Sequence, residues 1–158
     1  AGPSRVDLAA MLAWLAPRPF ACAQVGTLGF CRWGSLVLAL AAPRDDCATV
    51  AYFAWPTGGP SGQGVRPLDH TDGMHGPILA FWGDQDAGVG QDNVQRLVAA
   101  LKARDIEFEH TLYPAVGHGF MSASKLDPEH EAYKVACDAW TRTVDFYRNH
   151  LAIKGGTR

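Results

Sequence analysis

The sequence predicts one α/β domain in which a mainly parallel sheet lies between two layers of helices, a three-layer α/β/α sandwich. Two observations support this fold class. Apolar runs typical of buried strands alternate with segments whose apolar residues recur at helical spacing. The chain of 158 residues is also 47% hydrophobic and 19% charged, which is typical of a globular domain with buried strands.

The first half of the chain is predicted to run helix, strand, helix, strand. Residues 6–15 carry apolar side chains at helical spacing, and Pro17 follows them. Residues 24–28 form a short β-prone run that ends at a glycine. Residues 33–42 are apolar around the whole helix, so we expect this helix to be buried. Residues 48–53 form the second strand.

A long loop separates these elements from two further strands. Residues 56–76 are rich in Gly and Pro, which predicts an irregular segment of the kind that often carries function. The apolar run 78–82 is typical of a buried parallel strand. Residues 91–104 form an amphipathic helix, and the alternation over residues 107–112 suits a strand at a sheet edge.

The chain then forms a long final helix, predicted over residues 129–151. Asp127 is expected to cap its N-terminus and Pro128 to occupy its first helical position. In parallel sheets of this kind, active sites lie beyond the carboxyl ends of the strands. The loops that follow the strands are therefore where functional residues are expected.

Composition argues against several classes of function. The net charge is −2 and no basic stripe is present, so nucleic-acid binding gains no support. The longest apolar run, residues 36–42, is far shorter than the roughly 20 residues that span a membrane. Cysteine and histidine spacings do not resemble a zinc site, and no metal or cofactor is expected. Four cysteines without such pairing predict free thiols and a cytoplasmic location; they are Cys22, Cys31, Cys47 and Cys137.

The first candidate for chemistry is the turn that joins residues 24–28 to the next helix. A sharp strand–turn–helix connection places Cys31 above the sheet edge, and the helix N-terminus there stabilises a thiolate. The backbone N–H of Arg32 is expected to face a developing oxyanion. The alternative is that Cys31 is a buried, inert core thiol.

Two further strand ends carry candidate partners for Cys31. Asp84 and Asp86 follow the third strand, and each is a candidate to orient a histidine; the alternative is a solvated turn or a helix cap. His118 lies between two glycines in the loop after the fourth strand. Nucleophile, acid and histidine follow one another in the order found in α/β-hydrolases, which predicts a Cys31–Asp86–His118 triad.

These motifs resemble those of the dienelactone hydrolase family of α/β-hydrolases, which uses Cys as its nucleophile. The similarity lies in Gly29-Phe30-Cys31, in residues 83–86, in residues 113–120 and in the final helix, and it covers residues 6–151. The resemblance implies hydrolysis of small esters or lactones by Cys31, Asp86 and His118, without a cofactor.

Three departures from the family pattern are visible. Trp33 stands where the family usually has Gly, which implies a locally different turn or an outward side chain. Ser122 occupies the position of the family's substrate-binding arginine. The upstream residues that supply the family's first four strands and its second oxyanion donor have no counterpart in this sequence.

The resemblance therefore implies a single partial hydrolase domain over residues 1–158. The fold would lack its N-terminal strands, and a bare strand edge attracts another chain. We expect the sequence to belong to a longer protein whose missing N-terminal segment covers this edge. A homodimer formed edge to edge, or poor stability, is the alternative.

Aromatic residues near the strand ends predict an apolar pocket for the substrate. The side chains expected to line it are Tyr52, Phe53, Trp33 and Phe120, with Trp55 and Trp82 as further candidates, and each has a core role as its alternative. Two other functions remain open at this point. One is a catalytically weak or inactive fragment that serves as a binding module, and the other is a thiol-based redox protein with Cys47 as the second thiol.

Overall fold

The computed structural model describes residues 5–15, 17–18, 24–125 and 127–151. Within them one parallel sheet has four strands, which are β1 Val25–Phe30, β2 Cys47–Tyr52, β3 Ile78–Gly83 and β4 Phe108–Tyr113. The accompanying α-helices are α1 Arg5–Leu15, α2 Arg32–Leu40, α3 Gln91–Lys102 and α4 Glu131–His150. Each agrees with a predicted element in type and order, so the predicted α/β architecture is confirmed.

The strands lie in sequence order, β1-β2-β3-β4, with β1 and β4 at the edges. Every residue of β2 and β3 is buried, so both faces of the sheet are covered. Helix α2 packs on β1 and β2, whereas α4 packs on β2 and β3. The Tyr52 hydroxyl donates to the Ala139 carbonyl at 2.9 Å and so ties the central strand to α4.

The register of the sheet determines where the functional loops meet. Phe30 lies beside Tyr52, Tyr52 beside Phe81, and Gly83 beside Tyr113. The four strands therefore end at the same edge, because parallel strands share one direction. The residues that follow them are brought together there, as expected for an α/β sheet.

Two local predictions need correction. The loop after β2 is not irregular throughout, because residues Pro67–Gly73 form a 3-10 helix. The N-terminus of α4 is capped by His130, whose Nδ1 accepts the Ala132 N–H at 3.1 Å. Asp127 instead accepts the Glu129 N–H at 2.9 Å in a turn before the helix. Asp side chains commonly accept a hydrogen bond from the backbone N–H two residues on, which forms a turn of this kind.

One edge of the sheet carries an apolar groove. It has a volume of about 560 Å³ and lies between α1 and β1. The larger apolar side chains that line it are Met11, Leu12, Trp14, Leu15, Val25, Leu28 and Val37. Met11, Trp14 and Leu28 are 66%, 58% and 37% exposed, so a substantial apolar surface faces solvent at this edge in the chain.

Two predictions from composition concern the cysteines and membrane-spanning helices. Cys31, Cys47 and Cys137 are free thiols, whereas Cys22 lies outside the described residues. Among the residues described, no helix has the length and apolar character needed to cross a membrane.

Candidate active site

The turn from β1 to α2 determines the position of Cys31. Its backbone has a φ of 54°, a conformation that is strained for a residue other than glycine. Strand and helix approach so closely that a Cβ on Gly29 would lie 2.4 Å from the Trp33 carbonyl oxygen. Only glycine fits at that point. The sharp turn holds Cys31 above the carboxyl end of the sheet, where the sequence analysis expected it.

Trp33 turns outward and is 47% exposed. Its neighbour Gly34 makes the close approach to β2 instead, since a Cβ there would lie 3.0 Å from the Tyr52 carbonyl oxygen. The sequence left two alternatives for Trp33, a locally different turn or an outward side chain. The structure shows the outward side chain. Trp33 does not line the cavity of about 340 Å³ that opens beside Cys31, and its place in a substrate pocket stays a prediction.

His118 connects Cys31 to a buried carboxylate. Its Nε2 lies 3.0 Å from Cys31 Sγ, and its Nδ1 lies 2.7 Å from Asp86 Oδ2. Asp86 is only 4% exposed, and its other carboxylate oxygen accepts the Val89 N–H at 3.1 Å. The three side chains that the sequence analysis grouped are therefore within hydrogen-bonding distance in the expected order.

The second acidic candidate, Asp84, has a different role. Its carboxylate accepts the Ala115 N–H at 2.8 Å, in the loop that leads to His118. Asp84 therefore fixes the histidine loop without touching the imidazole. Of the two carboxylates that the sequence left open, Asp86 is the one that contacts His118.

Three hydrogen-bond donors meet at the Cys31 sulfur. Trp55 Nε1 lies 3.3 Å from Sγ, His118 Nε2 lies 3.0 Å from it, and the backbone N–H of Arg32 points to it as well. Burial raises the pKa of Cys31, but the hydrogen bonds from Trp55, His118 and Arg32 together lower it below that of an ordinary thiol. The donors thus favour the thiolate.

The pKa of His118 moves in the opposite direction. Partial burial lowers it, but the hydrogen bonds to Asp86 and to Cys31 outweigh burial and raise the pKa above the ordinary histidine value. A lowered thiol pKa next to a raised imidazole pKa favours proton transfer from sulfur to nitrogen. The contact between the two side chains provides a path for that transfer, and the hydrogen bond to Asp86 orients the imidazole.

Ser35 and Trp55 complete the support of Cys31 in a way that sequence reasoning missed. The Ser35 hydroxyl accepts the Trp55 N–H at 2.8 Å and donates to the Trp55 carbonyl at 3.1 Å, so it fixes the backbone that carries the indole. The position of Trp55 shortly after β2 was the available signal. Its role as an N–H donor to sulfur was not predicted, because the sequence suggested only an apolar contact.

The aromatic residues predicted to line the pocket have different positions. Phe53 packs edge-on against His118, with ring centroids 5.0 Å apart, and Phe120 packs behind Phe53 at 5.5 Å. Tyr52 is fully buried, and its hydroxyl bonds to α4 at Ala139 and Thr143. The assignment of Tyr52 to a substrate pocket is wrong, because its side chain faces the helix layer and not the strand end.

The tryptophans Trp82 and Trp55 also differ in position, since one belongs to the core and the other contacts the site. Trp82 is fully buried and donates from Nε1 to the Ala54 carbonyl at 2.9 Å, so it belongs to the core. Trp55 packs against His118, with ring centroids 5.1 Å apart. Phe53 and Trp55 together flank the imidazole and shield it from water on two sides.

A cavity of about 340 Å³ opens beside Cys31. Its lining comes from the start of α2, from Trp55 and from the loop after β2, and consists of Cys31, Arg32, Ser35, Trp55, Gly59, Pro60, Ser61, Gln63 and Val65. This volume suits a small ligand. Neither Phe53 nor Phe120 lines this cavity, whose wall comes mainly from the loop after β2, so their place in a substrate pocket stays a prediction.

Cys47 lies at the wrong end of β2 to exchange a disulfide with Cys31. The register places Phe30 beside Tyr52, at the end of β2, whereas Cys47 begins that strand. At about 3.3 Å per residue the two thiols are separated by roughly 16 Å, far beyond disulfide reach. The redox interpretation based on Cys47 is therefore excluded for this fold. In the described part of the chain no cluster of His, Cys, Asp and Glu is placed to hold a metal ion.

Comparison with known proteins gives the family context. The profile of the dienelactone hydrolase family matches residues 4–151. Carboxymethylenebutenolidase of Rhodococcus opacus is 34% identical over 130 residues, which cover 81% of this chain and 51% of that protein. Carboxymethylenebutenolidase 2 of Cupriavidus pinatubonensis is 34% identical over 98 residues, covering 61% of this chain and 41% of that protein. The chain spans about half the length of the curated relatives it matches.

Solved structures share the same fold. A crystal structure of a Klebsiella pneumoniae protein assigned to the dienelactone hydrolases has a TM-score of 0.76 and 27% identity, covering 91% of this chain and 60% of that one. A dienelactone hydrolase-like promiscuous phosphotriesterase from metagenomic libraries has a TM-score of 0.72 at 15% identity, covering 94% and 62%. The second likeness concerns the fold alone.

Proposed function

Because the chain belongs to the dienelactone hydrolase family, we propose that it carries the catalytic centre of a hydrolase acting on small carboxylic esters or lactones, with carboxymethylenebutenolidase-type chemistry. Cys31 is the proposed nucleophile, His118 the general acid and base, and Asp86 the orienting carboxylate. The observation that carries the proposal is one imidazole in contact with both Cys31 Sγ, at 3.0 Å, and Asp86, at 2.7 Å. This is the arrangement that nucleophilic acyl transfer needs.

Acylation begins from the thiolate–imidazolium pair. The Cys31 sulfur attacks the carbonyl carbon and forms a C–S bond, while the carbonyl π electrons move onto oxygen. The backbone N–H of Arg32 donates a hydrogen bond to that oxyanion. When the C–O bond to the leaving group breaks, His118 gives its proton to the departing oxygen. An alcohol leaves, or the ring of a lactone opens, and a thioester remains on Cys31.

Deacylation uses the neutral imidazole that acylation leaves behind. His118 takes a proton from a water molecule, whose oxygen attacks the thioester carbonyl. The C–S bond breaks, the acid is released, and the thiolate–imidazolium pair is restored. Throughout, Asp86 accepts the hydrogen bond from Nδ1, which fixes the tautomer and stabilises the imidazolium.

The proposed partners follow from this chemistry. The substrate is a small molecule, since the cavity beside Cys31 holds about 340 Å³. The mechanism needs no cofactor. A thiolate with a lowered pKa is prone to oxidation, so we propose that the protein works in the reducing cytoplasm.

The test compares Cys31→Ala and His118→Gln with the wild-type chain in the hydrolysis of p-nitrophenyl acetate. We expect an initial burst of p-nitrophenol from acylation in the wild type, and a loss of about 10²-fold or more in each variant. Cys137→Ala is the matched control, because Cys137 is a free, exposed thiol away from the site. Unchanged turnover in Cys31→Ala would rule out the proposed nucleophile.

Alkylation by iodoacetamide separates a hydrolase from a binding module. If Cys31 is the proposed thiolate, it reacts at neutral pH much faster than Cys47 and Cys137 in the same sample, measured by peptide mass spectrometry. Equal, slow alkylation at Cys31, Cys47 and Cys137 would favour a fragment that binds a partner without catalysis.

A further inference from the structure

The Trp55 indole extends from Cys31 to the loop that follows β3. At one end of the ring system, Nε1 lies 3.3 Å from the Cys31 sulfur. At the other end, the six-membered ring faces Gly88, which lies two residues after Asp86. The indole also packs against the His118 ring, with centroids 5.1 Å apart. The position of the N–H donor therefore depends on what the far end of the indole contacts.

Gly88 leaves no room for a side chain beside this ring. A Cβ on Gly88 would lie 3.0 Å from Cη2 and 3.6 Å from Cζ3 of Trp55. Carbon atoms pack at about 3.5–4.0 Å, so the shorter contact would force a shift of several tenths of an ångström. The backbone of Gly88 lies outside the left-handed region, so backbone strain does not require glycine here. The contact with the indole is what favours the absence of a side chain.

The backbone on both sides of this contact is held in place. The Ser35 hydroxyl bonds to both the N–H and the carbonyl of Trp55. The loop after β3 is fixed where the Val89 N–H donates to Asp86 at 3.1 Å. The indole lines the cavity beside Cys31, which gives the ring space to turn. A side chain at position 88 would therefore rotate the indole rather than move either backbone, and hydrogen bonds weaken steeply when the donor turns away from its acceptor.

We propose that Gly88 is a positioning residue for the nucleophile, because its lack of a side chain lets the Trp55 indole lie where its N–H reaches the Cys31 sulfur. The inference deepens the proposed function and rests on it. Gly88 touches none of the reacting atoms and acts through Trp55. In this way the loop that carries Asp86 influences both the histidine and the thiol of the proposed triad.

The first test is the pH profile of alkylation by iodoacetamide in Gly88→Ala. We expect the midpoint for Cys31 to move to higher pH, because the rotated indole stabilises the thiolate less. The rate at pH 6 should fall about two- to threefold, while the rate above the midpoint stays the same. Gly73→Ala is the matched control, since Gly73 is also an exposed glycine outside the left-handed region. Among the described residues, a Cβ on Gly73 would contact nothing within 4 Å.

A double-mutant cycle identifies the path through Trp55. In Trp55→Phe the N–H is absent and the ring is smaller, so adding Gly88→Ala should shift the midpoint no further. A Cβ on Gly88 would also lie 3.4 Å from Asp86 Oδ1, which offers a second path to the site. Shifts that add in the double variant would mean that the effect passes through Asp86 and would overturn the proposal.

The indole N–H resonance reports the hydrogen bond without any need for turnover. In the wild-type chain, the proton resonance of Trp55 Nε1 should follow the titration of Cys31, and its absence from the Trp55→Phe spectrum assigns it. In Gly88→Ala the change of chemical shift over that titration should be smaller. An unchanged amplitude, or an alkylation profile that superimposes on that of the wild type, would overturn the proposal.

Folding of the variants is checked by denaturant unfolding. If Gly88→Ala alone does not fold, the double variant with Trp55→Phe should fold, because the phenyl ring leaves room for the added methyl group. Failure of both variants to fold would contradict the proposed contact.

Failure of the proposed function gives a different result. If Cys31 is not a reactive thiolate, iodoacetamide modifies it in the wild-type chain no faster than Cys137. If the thiolate is reactive but Gly88 does not position the indole, wild-type Cys31 reacts fast and Gly88→Ala leaves its pH profile unchanged.

Discussion

At Cys31 the Trp55 indole acts as a hydrogen-bond donor and not only as an apolar wall. Its Nε1 lies 3.3 Å from the sulfur, and the Ser35 hydroxyl fixes the Trp55 backbone on both sides. A donor of this kind stabilises the thiolate much more than the neutral thiol, whose sulfur is only a weak acceptor. Trp55 is thus expected to tune the nucleophile without taking part in proton transfer.

The first prediction concerns Trp55→Phe, which keeps an aromatic ring and removes the N–H. The pKa of Cys31 should rise, because one of the hydrogen bonds that lower it is lost. The pH profile of alkylation by iodoacetamide should therefore move to higher pH, with the rate at pH 6 falling about three- to tenfold. Trp140→Phe, at a 48% exposed indole on α4, is the control. An unshifted profile in Trp55→Phe would show that the indole does not stabilise the thiolate.

The second prediction separates the two aspartates after β3. Asp86→Asn removes the charge that stabilises the His118 imidazolium, so the pKa of His118 should fall and Cys31 should keep its proton to higher pH. Turnover should drop by about 10²-fold or more. The thiolate absorbance near 240 nm, followed against pH, reports the change directly.

Asp84→Asn is the matched comparison. This carboxylate bonds to the Ala115 N–H and not to the imidazole, so the substitution should leave the pH midpoint of the thiolate near the wild-type value. If both variants shift that midpoint equally, the histidine loop as a whole, and not the Asp86 contact, sets the pKa of Cys31.

The residues of the site differ in how far sequence could reveal them. Cys31, Asp86 and His118 each follow a strand directly, and strand ends can be recognised from apolar runs. The choice of Asp86 over Asp84 depends on which carboxylate turns inward to accept the Val89 N–H, which spacing alone does not determine. The Ser35–Trp55 pair depends on loop geometry after β2 and leaves no periodic signal in the sequence.

At the scale of elements, the central strand β2 is tied to α4 by a buried hydroxyl. Tyr52 OH contacts the Ala139 carbonyl at 2.9 Å and Thr143 Oγ1 at 2.6 Å, and burial raises the pKa of Tyr52 to about 12. The phenol therefore remains neutral over the whole physiological pH range. Tyr52 stabilises the packing of the helix on the sheet. Because it does not line the cavity beside Cys31, we expect no direct role for it in catalysis.

The third prediction is that Tyr52→Phe lowers the free energy of unfolding by about 1 kcal/mol, because a buried hydrogen bond is lost while its partners keep each other. Denaturant unfolding measures the change as a shift of the midpoint at constant slope. Iodoacetamide alkylation of Cys31 should be unchanged. Tyr133→Phe, on the same helix at a more exposed position, is the control for stability. A loss of Cys31 reactivity with no loss of stability would contradict this prediction and indicate that Tyr52 acts in the active site.

Element boundaries show where local sequence rules compete. Asp127-Pro128 is a strong signal for a helix start, yet α4 begins after His130. The Asp127 side chain satisfies the Glu129 N–H in a turn, which leaves His130 to cap the helix. Apolar periodicity predicts the types and the order of the elements. Their ends depend on which of several candidate side chains accepts hydrogen bonds from the free backbone N–H groups.

At the scale of the whole molecule, the two sheet edges differ in character. The β4 edge carries a charged side chain, Glu109, which is exposed. Charges of this kind protect an edge from pairing with another chain. The β1 edge instead adjoins the apolar groove between α1 and β1, where Met11, Trp14 and Leu28 face solvent.

The fourth prediction follows from this asymmetry. The chain by itself should self-associate through the β1 edge in a concentration-dependent way, because an exposed apolar surface beside an unpaired strand gains free energy when another chain covers it. Leu28→Lys places a charge on that edge and should shift the sedimentation coefficient towards the monomer. Leu112→Lys is the matched control, since Leu112 is 39% exposed on β4 and Leu28 is 37% exposed on β1. Neither substitution should change the alkylation of Cys31. If the wild-type chain sediments as a monomer at every concentration, or if both variants reduce association equally, the β1 edge is not the surface that requires a partner.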